Sequence, residues 1–457
     1  MFPPPAADGN ITQKGAMRPF FFILALLALF AAPHTARAAA PDEAERLYQA
    51  YGGAVYQVEV IDMTSEKKNV LGSGFQITPG GLIATNYHVI AGALQHPSRN
   101  RVEYVSNKGA TGALTIEDVD VVHDLALVRM QKPGKEWLKL GTSGLPKGTD
   151  LYSIGNPHDL GFTIVPGTFN GLSHDSFIDD IHFSGALNPG MSGGPAIGYD
   201  GAVAGVNVAT AGNGIGFLVP VEPLKALLAR ARKMMPPRYD FVAHADARLQ
   251  NQLLASQNHN ISELLANKNW ESVPFGPVRV PGHINKALTC WGGMDSKESD
   301  PFTAYFSICA TQDRLFLDEG FDTGAVLYRY DYFMPKKKLN LARFYNFYQG
   351  QFGTPEADYQ NAKQGDVTDF ACNGHFIWHA GYRWKADFCI RQYKKYPKIF
   401  DMHLYMAMVG AGKKGFIVTL MAQGVSKENA LALARRFIAE IRPNAPRPDA
   451  GQAGGAP

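Results

Sequence analysis

A chain of 457 residues, 46% of them hydrophobic, is long enough to bury at least two cores. Its 44 Lys and Arg against 41 Asp and Glu leave a formal charge of only +3. That is too small for a polyanion partner, so nucleic-acid binding is set aside. Arg18 to Ala40 has the pattern of a secretion signal: a basic start, the apolar run Pro19 to Ala32, and small residues at Ala36-Arg37-Ala38 or Ala38-Ala39-Ala40. The apolar core falls short of the ~20 residues that span a bilayer. It is therefore expected to be removed, leaving no stable membrane anchor and a periplasmic or secreted protein. Met17-Arg18-Pro19-Phe20 would itself open an ordinary signal, so Met1 and Met17 both stand as possible starts.

From Ala54 to about Val221 short apolar runs are broken by Gly, Pro, Asn and Asp, which predicts an all-β domain within 41–235. Tyr56, Val58 and Val60 alternate with Gln57 and Glu59. Further strands are expected over Val70–Ile77, Leu82–Thr85, Leu125–Met130, Leu151–Ile154, Phe162–Val165, Ala196–Ile197, Ala202–Val208 and Ile215–Val219. Their shortness fits two small antiparallel barrels. A helix with Pro223 in its first turn and Leu224, Leu227 and Leu228 on one face closes the domain, and Met234-Met235-Pro236-Pro237 ends it.

Residues 240–443 predict an α+β domain around an antiparallel sheet. Helices are expected over Ala245–Ser256 and over Lys427–Ile441, the second capped by Ser426. The clearest strands are Thr303–Ala310, Ala325–Phe333, Phe400–Met408 and Gly415–Ala422. The tail, 444–457, is Ala, Gly and Pro, too poor in large apolar groups to fold.

All four cysteines, Cys290, Cys309, Cys372 and Cys389, lie in this second region. Of three possible connectivities the sequence neighbours, Cys290 with Cys309 and Cys372 with Cys389, are preferred. Zinc ranks below disulfides because no Cys-x-x-Cys spacing is present. His375 and His379 are spaced for a metal only if helical, and no third ligand lies near, so no metal is assigned. Tyr328, Tyr330 and Tyr332 beside Lys336-Lys337-Lys338 are read as an ordinary sheet face and a solvated turn.

The chemistry concentrates in three segments. Asn188-Pro189-Gly190-Met191-Ser192-Gly193-Gly194-Pro195 sets a serine between glycines, the way a chymotrypsin-type protease presents its nucleophile. Ala84-Thr85-Asn86-Tyr87-His88-Val89 supplies a base, and His123-Asp124-Leu125-Ala126-Leu127-Val128 an orienting carboxylate. The order His, Asp, Ser differs from the subtilisin and α/β-hydrolase orders. Together the segments resemble the trypsin-like serine peptidases of the HtrA/Deg type. Leu71-Gly72-Ser73-Gly74-Phe75, Ser153-Ile154-Gly155-Asn156-Pro157, Gly205-Val206-Asn207 and Gly214 to Pro220 extend the likeness over about residues 45 to 232. No PDZ-like pattern follows.

The resemblance implies a chymotrypsin-like double β-barrel and a cofactor-free serine endopeptidase of protein quality control, acting on protein or peptide substrates. Ser192 would attack the peptide carbonyl, His88 would take and return the proton, and Asp124 would hold the imidazole tautomer. Gly190 and Ser192, with Met191 as a third candidate, would bind the oxyanion. Met191 stands where many members carry Asn and where trypsins carry the Asp that anchors a new N-terminus, which excludes that activation salt bridge. Ala186, six before the nucleophile, leaves no carboxylate for a basic P1 residue. A small or medium aliphatic P1 is expected, with Val208, Ile215 and Phe217 as pocket walls. His123, His158, His174 and His182 are read as loop or strand residues. The competing reading is a catalytically inactive protease fold serving as a binding or chaperone protein of the cell envelope.

Overall fold

The computed structural model describes residues 42–173, 175–210, 214–234, 240–296, 302–336, 339–353 and 362–444. The expected secretion signal, His174, Pro236-Pro237, Lys337-Lys338 and the tail after 444 lie outside them.

After α1 (Glu43–Tyr51), six antiparallel strands close a first barrel: β1 (Val55–Asp62), β2 (Lys67–Gln76), β3 (Leu82–Thr85), β4 (Asn100–Ser106), β5 (Thr111–Asp120) and β6 (Leu125–Met130). A helix, α2 (Tyr87–Gln95), interrupts them between β3 and β4. The second barrel comprises β7 (Asp150–Gly155), β8 (Thr163–Leu172), β9 (Ile181–Phe183), β10 (Pro195–Ile197), β11 (Val203–Thr210) and β12 (Gly216–Pro220). The two closed barrels match the expected chymotrypsin-like architecture. Closure leaves neither sheet an unpaired edge.

One apolar cluster fuses the barrels, joining Phe75, Leu125 and Leu127 of the first to Ile154, Ile197 and Val206 of the second. Leu224, Leu227 and Leu228 of α3 (Val221–Met234) complete it.

The later region is mostly sheet. It follows α4 (Ala245–Ala266), which runs ten residues beyond its expected end at Ser256, with Gln257 and Asn260 buried along its continuation. A three-stranded sheet holds β13 (Ser272–Phe275), β14 (Val278–Pro281) and a short closing strand, Arg442–Pro443. Next in the chain come β15 (Leu288–Asp295), β16 (Phe302–Thr311), the hairpin β17 (Leu315–Asp318) and β18 (Phe321–Thr323), β19 (Val326–Pro335) and α5 (Leu341–Gln351). They are followed by β20 (Ala371–His379), β21 (Tyr382–Gln392), β22 (Phe400–Val409), β23 (Gly415–Val425) and α6 (Lys427–Ala439). The seven-stranded sheet runs β15-β16-β19-β23-β22-β21-β20, every pairing antiparallel. Ser426 caps α6, accepting the Asn429 N–H at 3.2 Å.

Both disulfides lie at the sheet's edges. Cys290 opposes and bonds Cys309 across β15 and β16, and Cys372 likewise bonds Cys389 across β20 and β21. These edge strands are mostly exposed and bury little to hold their register, so a covalent cross-strand tie substitutes for packing. β20 also removes the premise for metal chelation at His375 and His379. In a strand their i, i+4 spacing puts them about 13 Å apart, and the His379 Nε2 hydrogen-bonds the Ile441 carbonyl at 2.8 Å. Tyr328 and Tyr330 are buried under Phe437 of α6, their hydroxyls donating to the carbonyls of Gly282 and Pro281.

The described residues between 42 and 444 form one compact unit. The hairpin β17–β18 packs on α2, and Leu315, Leu317 and Phe321 share a core with Tyr87, Ile90 and Leu94. The Tyr87 hydroxyl donates to Leu317 O at 2.8 Å, and Gln95 Nε2 donates to the Tyr396 hydroxyl at 3.0 Å.

Candidate active site

His88 is the second residue of α2, just past the strand-to-helix junction at Asn86. The Asp124 carbonyl anchors that junction, accepting the Tyr87 N–H at 3.1 Å and the Asn86 Nδ2 at 2.8 Å. Asp124 ends the β5–β6 turn with φ +52°, a left-handed conformation that Asp and Asn tolerate better than most residues. Its carboxylate then has both oxygens on His88. Oδ1 accepts the backbone N–H at 2.8 Å, and Oδ2 lies 2.6 Å from Nδ1. Burial pulls the imidazole pKa down, but the Asp124 charge and hydrogen bond outweigh it and hold His88 above 6.5, its ordinary value.

Ser192 comes from the opposite barrel, in the turn before β10. Its carbonyl accepts the Ser73 N–H at 2.7 Å, locking that turn to β2. Gly193, at φ +84°, passes so close to the His88 strand-turn that a Cβ would lie 2.2 Å from Ser73 O and 2.9 Å from Asn86 N. The backbones of the serine and histidine segments thus meet where only glycine fits. The Ser192 hydroxyl rests on the Val208 carbonyl at 3.3 Å.

Gly190, at φ +95°, shapes the turn ahead of the serine. The Pro189 carbonyl accepts the His158 N–H at 2.9 Å, and the Gly190 carbonyl accepts the Ser73 hydroxyl at 2.7 Å. With both carbonyls held outward, the Gly190 and Ser192 N–H groups donate to no protein acceptor among the described residues. The Met191 N–H is already bonded to Asn188 O at 3.0 Å, which leaves Gly190 and Ser192 as the two uncommitted donors. Met191 itself is fully buried in the second barrel.

Four supports went unremarked as such in the sequence. Buried Asn207 accepts the Gly193 N–H on its carbonyl at 2.9 Å and donates Nδ2 to Met191 O at 3.1 Å. Ser73 bridges Gly190 O and the Asn156 N–H. His158 and Asp159 both have positive φ, 51° and 60°, at a cost of order 1 kcal/mol each. The Asp159 carboxylate offsets this by accepting from Gln57 Nε2 at 2.8 Å and Lys68 Nζ at 2.9 Å.

A cleft of about 640 Å³ opens beside Asp124. Val208 and Phe217, two of the four expected pocket residues, line it, whereas Ala186 and Ile215 are exposed and take no part in that lining. Phe217 stacks on His182, ring centroids 6.1 Å apart. His123 also faces the cleft, its Nδ1 paired with Asp120 Oδ2 at 2.8 Å. Burial, reinforced by the charges of Asp313 and Asp124, pushes the Asp180 carboxyl on the rim up to about 7.

Residues 72–206, which include the His88, Asp124 and Ser192 segments, match a family model described as a trypsin-like peptidase domain. Among curated proteins the chain is 34% identical over 170 residues to the serine protease HTRA1A of Danio rerio, covering 35% of this chain and 34% of that protein. It is 35% identical over 169 residues to the mitochondrial serine protease HTRA2 of Drosophila pseudoobscura pseudoobscura, covering 35% and 39%. The matched stretch thus spans between a third and two fifths of these relatives' length. A solved HtrA-type protease, AlgW with tripeptide, aligns at 23% identity and TM-score 0.38, covering 42% of this chain and 64% of that one.

Proposed function

We propose that the protein is a serine endopeptidase of the HtrA type, with His88, Asp124 and Ser192 as its triad. The observation that carries this reading is the two-oxygen grip of Asp124 on His88, made opposite a glycine-flanked serine whose turn leaves two backbone donors uncommitted. Turning the Ser192 hydroxyl from Val208 O toward the His88 Nε2 starts the reaction. His88 takes the proton as the oxygen bonds to the carbonyl carbon, and Gly190 and Ser192 N–H groups receive the oxyanion. His88 then protonates the leaving amine, and water releases the acyl group by the same steps.

Val208 and Phe217, the apolar residues that line the cleft, support a small or medium aliphatic P1 residue; Ala186, outside that lining, does not bear on it. Two structural disulfides support residence in an oxidising compartment, the periplasm or the exterior.

A fluorophosphonate probe is expected to label the folded protein on Ser192 and to leave Ser192→Ala unlabelled, with casein digestion lost in parallel. Labelling that survives in Ser192→Ala would refute the assignment. The pH dependence has a definite sign. His88 must be neutral to accept the proton, so kcat/KM rises with pH through the His88 pKa, placing the acid limb above 6.5. A limb well below 6.5 would show that the Asp124 carboxylate is not charging the imidazole.

A further inference from the structure

The strand β17 alternates strictly, Leu315 and Leu317 buried and Phe316 and Asp318 partly exposed. Because successive side chains of a strand point to opposite faces, anchoring Leu315 and Leu317 on α2 turns Phe316 the other way, into the cleft beside Asp124. Its ring stands edge-on to the His88 imidazole, centroids 6.0 Å apart at 69°. The later region therefore reaches the catalytic histidine directly.

We propose that Phe316 is a specificity-determining residue, forming with Val121, Ile178 and Phe217 a subsite against His88 for a bulky apolar side chain of an extended peptide, within two residues of the scissile bond. The inference rests on the peptidase reading above and names one feature of its substrate. All four residues line the cleft that continues from Asp124 and Val208, so a peptide whose carbonyl reaches Ser192 must pass along this wall. Burying a leucine or phenylalanine side chain there removes apolar surface from water, whereas glycine gains nothing.

The wall is fixed to the catalytic helix. Besides the Tyr87–Leu317 and Gln95–Tyr396 bonds, Lys395 Nζ donates to the Gln95 carbonyl at 2.9 Å and its Oε1 at 2.8 Å. Phe316 thus keeps its station relative to His88. A rigid subsite discriminates better than one that must be ordered by the substrate.

The test uses the full oxidised protein and a quenched-fluorescence peptide library in which each position flanking the cleavage site carries Leu, Phe or Gly. At one position wild type is expected to favour Leu or Phe over Gly in kcat/KM, and Phe316→Ala to reduce that ratio about tenfold. Phe316→Leu should keep most of the preference. Phe316→Trp, which fills more of the subsite and guards against a misfolded alanine variant, should shift it toward smaller aliphatics. Phe376→Ala, on exposed β20, serves as the surface control and should leave the ratio alone. Cleavage with ratios unchanged by Phe316→Ala and Phe316→Trp at every position would overturn the subsite while leaving the peptidase intact. A wild-type protein that neither cuts the library nor takes the fluorophosphonate probe would overturn the peptidase reading, and the subsite with it.

Discussion

Asp124→Asn is expected to lower kcat on the order of 10⁴-fold while leaving the melting temperature within a few degrees of wild type. The two outcomes separate because the residue has two jobs. Its backbone carries the left-handed turn and the carbonyl that anchors Asn86 and Tyr87; asparagine tolerates that turn, and the carbonyl is untouched. Its Oδ1 bond to the His88 N–H survives as an amide oxygen. What changes is the second contact, 2.6 Å from Nδ1, where an NH₂ group now donates. The imidazole must then carry its proton on Nε2 and can no longer accept one from Ser192. Steady-state kinetics beside a thermal melt read both effects. A loss under tenfold would place the catalytic base elsewhere.

The second large effect is structural. Gly193→Ala is expected to cost about 3 kcal/mol or more, combining a left-handed alanine at ~1–2 kcal/mol with overpacking at ~1–3 kcal/mol. The new methyl would lie 2.2 Å from Ser73 O and 2.3 Å from Thr85 Oγ1, both held by hydrogen bonds of their own. Relief would require the serine turn to withdraw from the His88 segment, so probe labelling should fall with stability. Gly148→Ala isolates the backbone contribution, since φ there is +95° and nothing lies within 4 Å of the added methyl. Urea midpoints of the two variants give the comparison. If Gly193→Ala were no worse than Gly148→Ala, the close approach would be yielding and the barrel junction softer than the contacts require.

The three chemical segments were legible because each needs a particular residue type locally. Glycine is demanded at Gly190 and Gly193 by positive φ and close approach, and the two barrels are announced by short apolar runs between turn residues. Several elements were not legible. The helix α2, which carries His88, includes Val89, Ile90 and Gly92, poor helix formers that are overridden by near-complete burial against the barrel. Strands β4 and β5 carry many polar residues on their outer faces, and β20 is exposed almost throughout, so none of the three shows the apolar run by which a strand is recognised. The His375–His379 spacing has chelating geometry only in a helix, and antiparallel pairing with β21 decides against one.

The sequence by itself singled out the groups proposed to carry the chemistry, their order along the chain, and the glycines of the serine turn, because these follow from residue type and nearest neighbours. Tertiary structure alone decided that Asp124 grips His88 with both oxygens, that Asn207 and Ser73 brace the serine turn, and that Phe316 stands over the imidazole. The Tyr87–Leu317 bond that fixes this last placement joins residues 230 apart. No local periodicity encodes such a contact; it arises when α2 and the β17–β18 hairpin, remote in sequence, bury their apolar faces against one another.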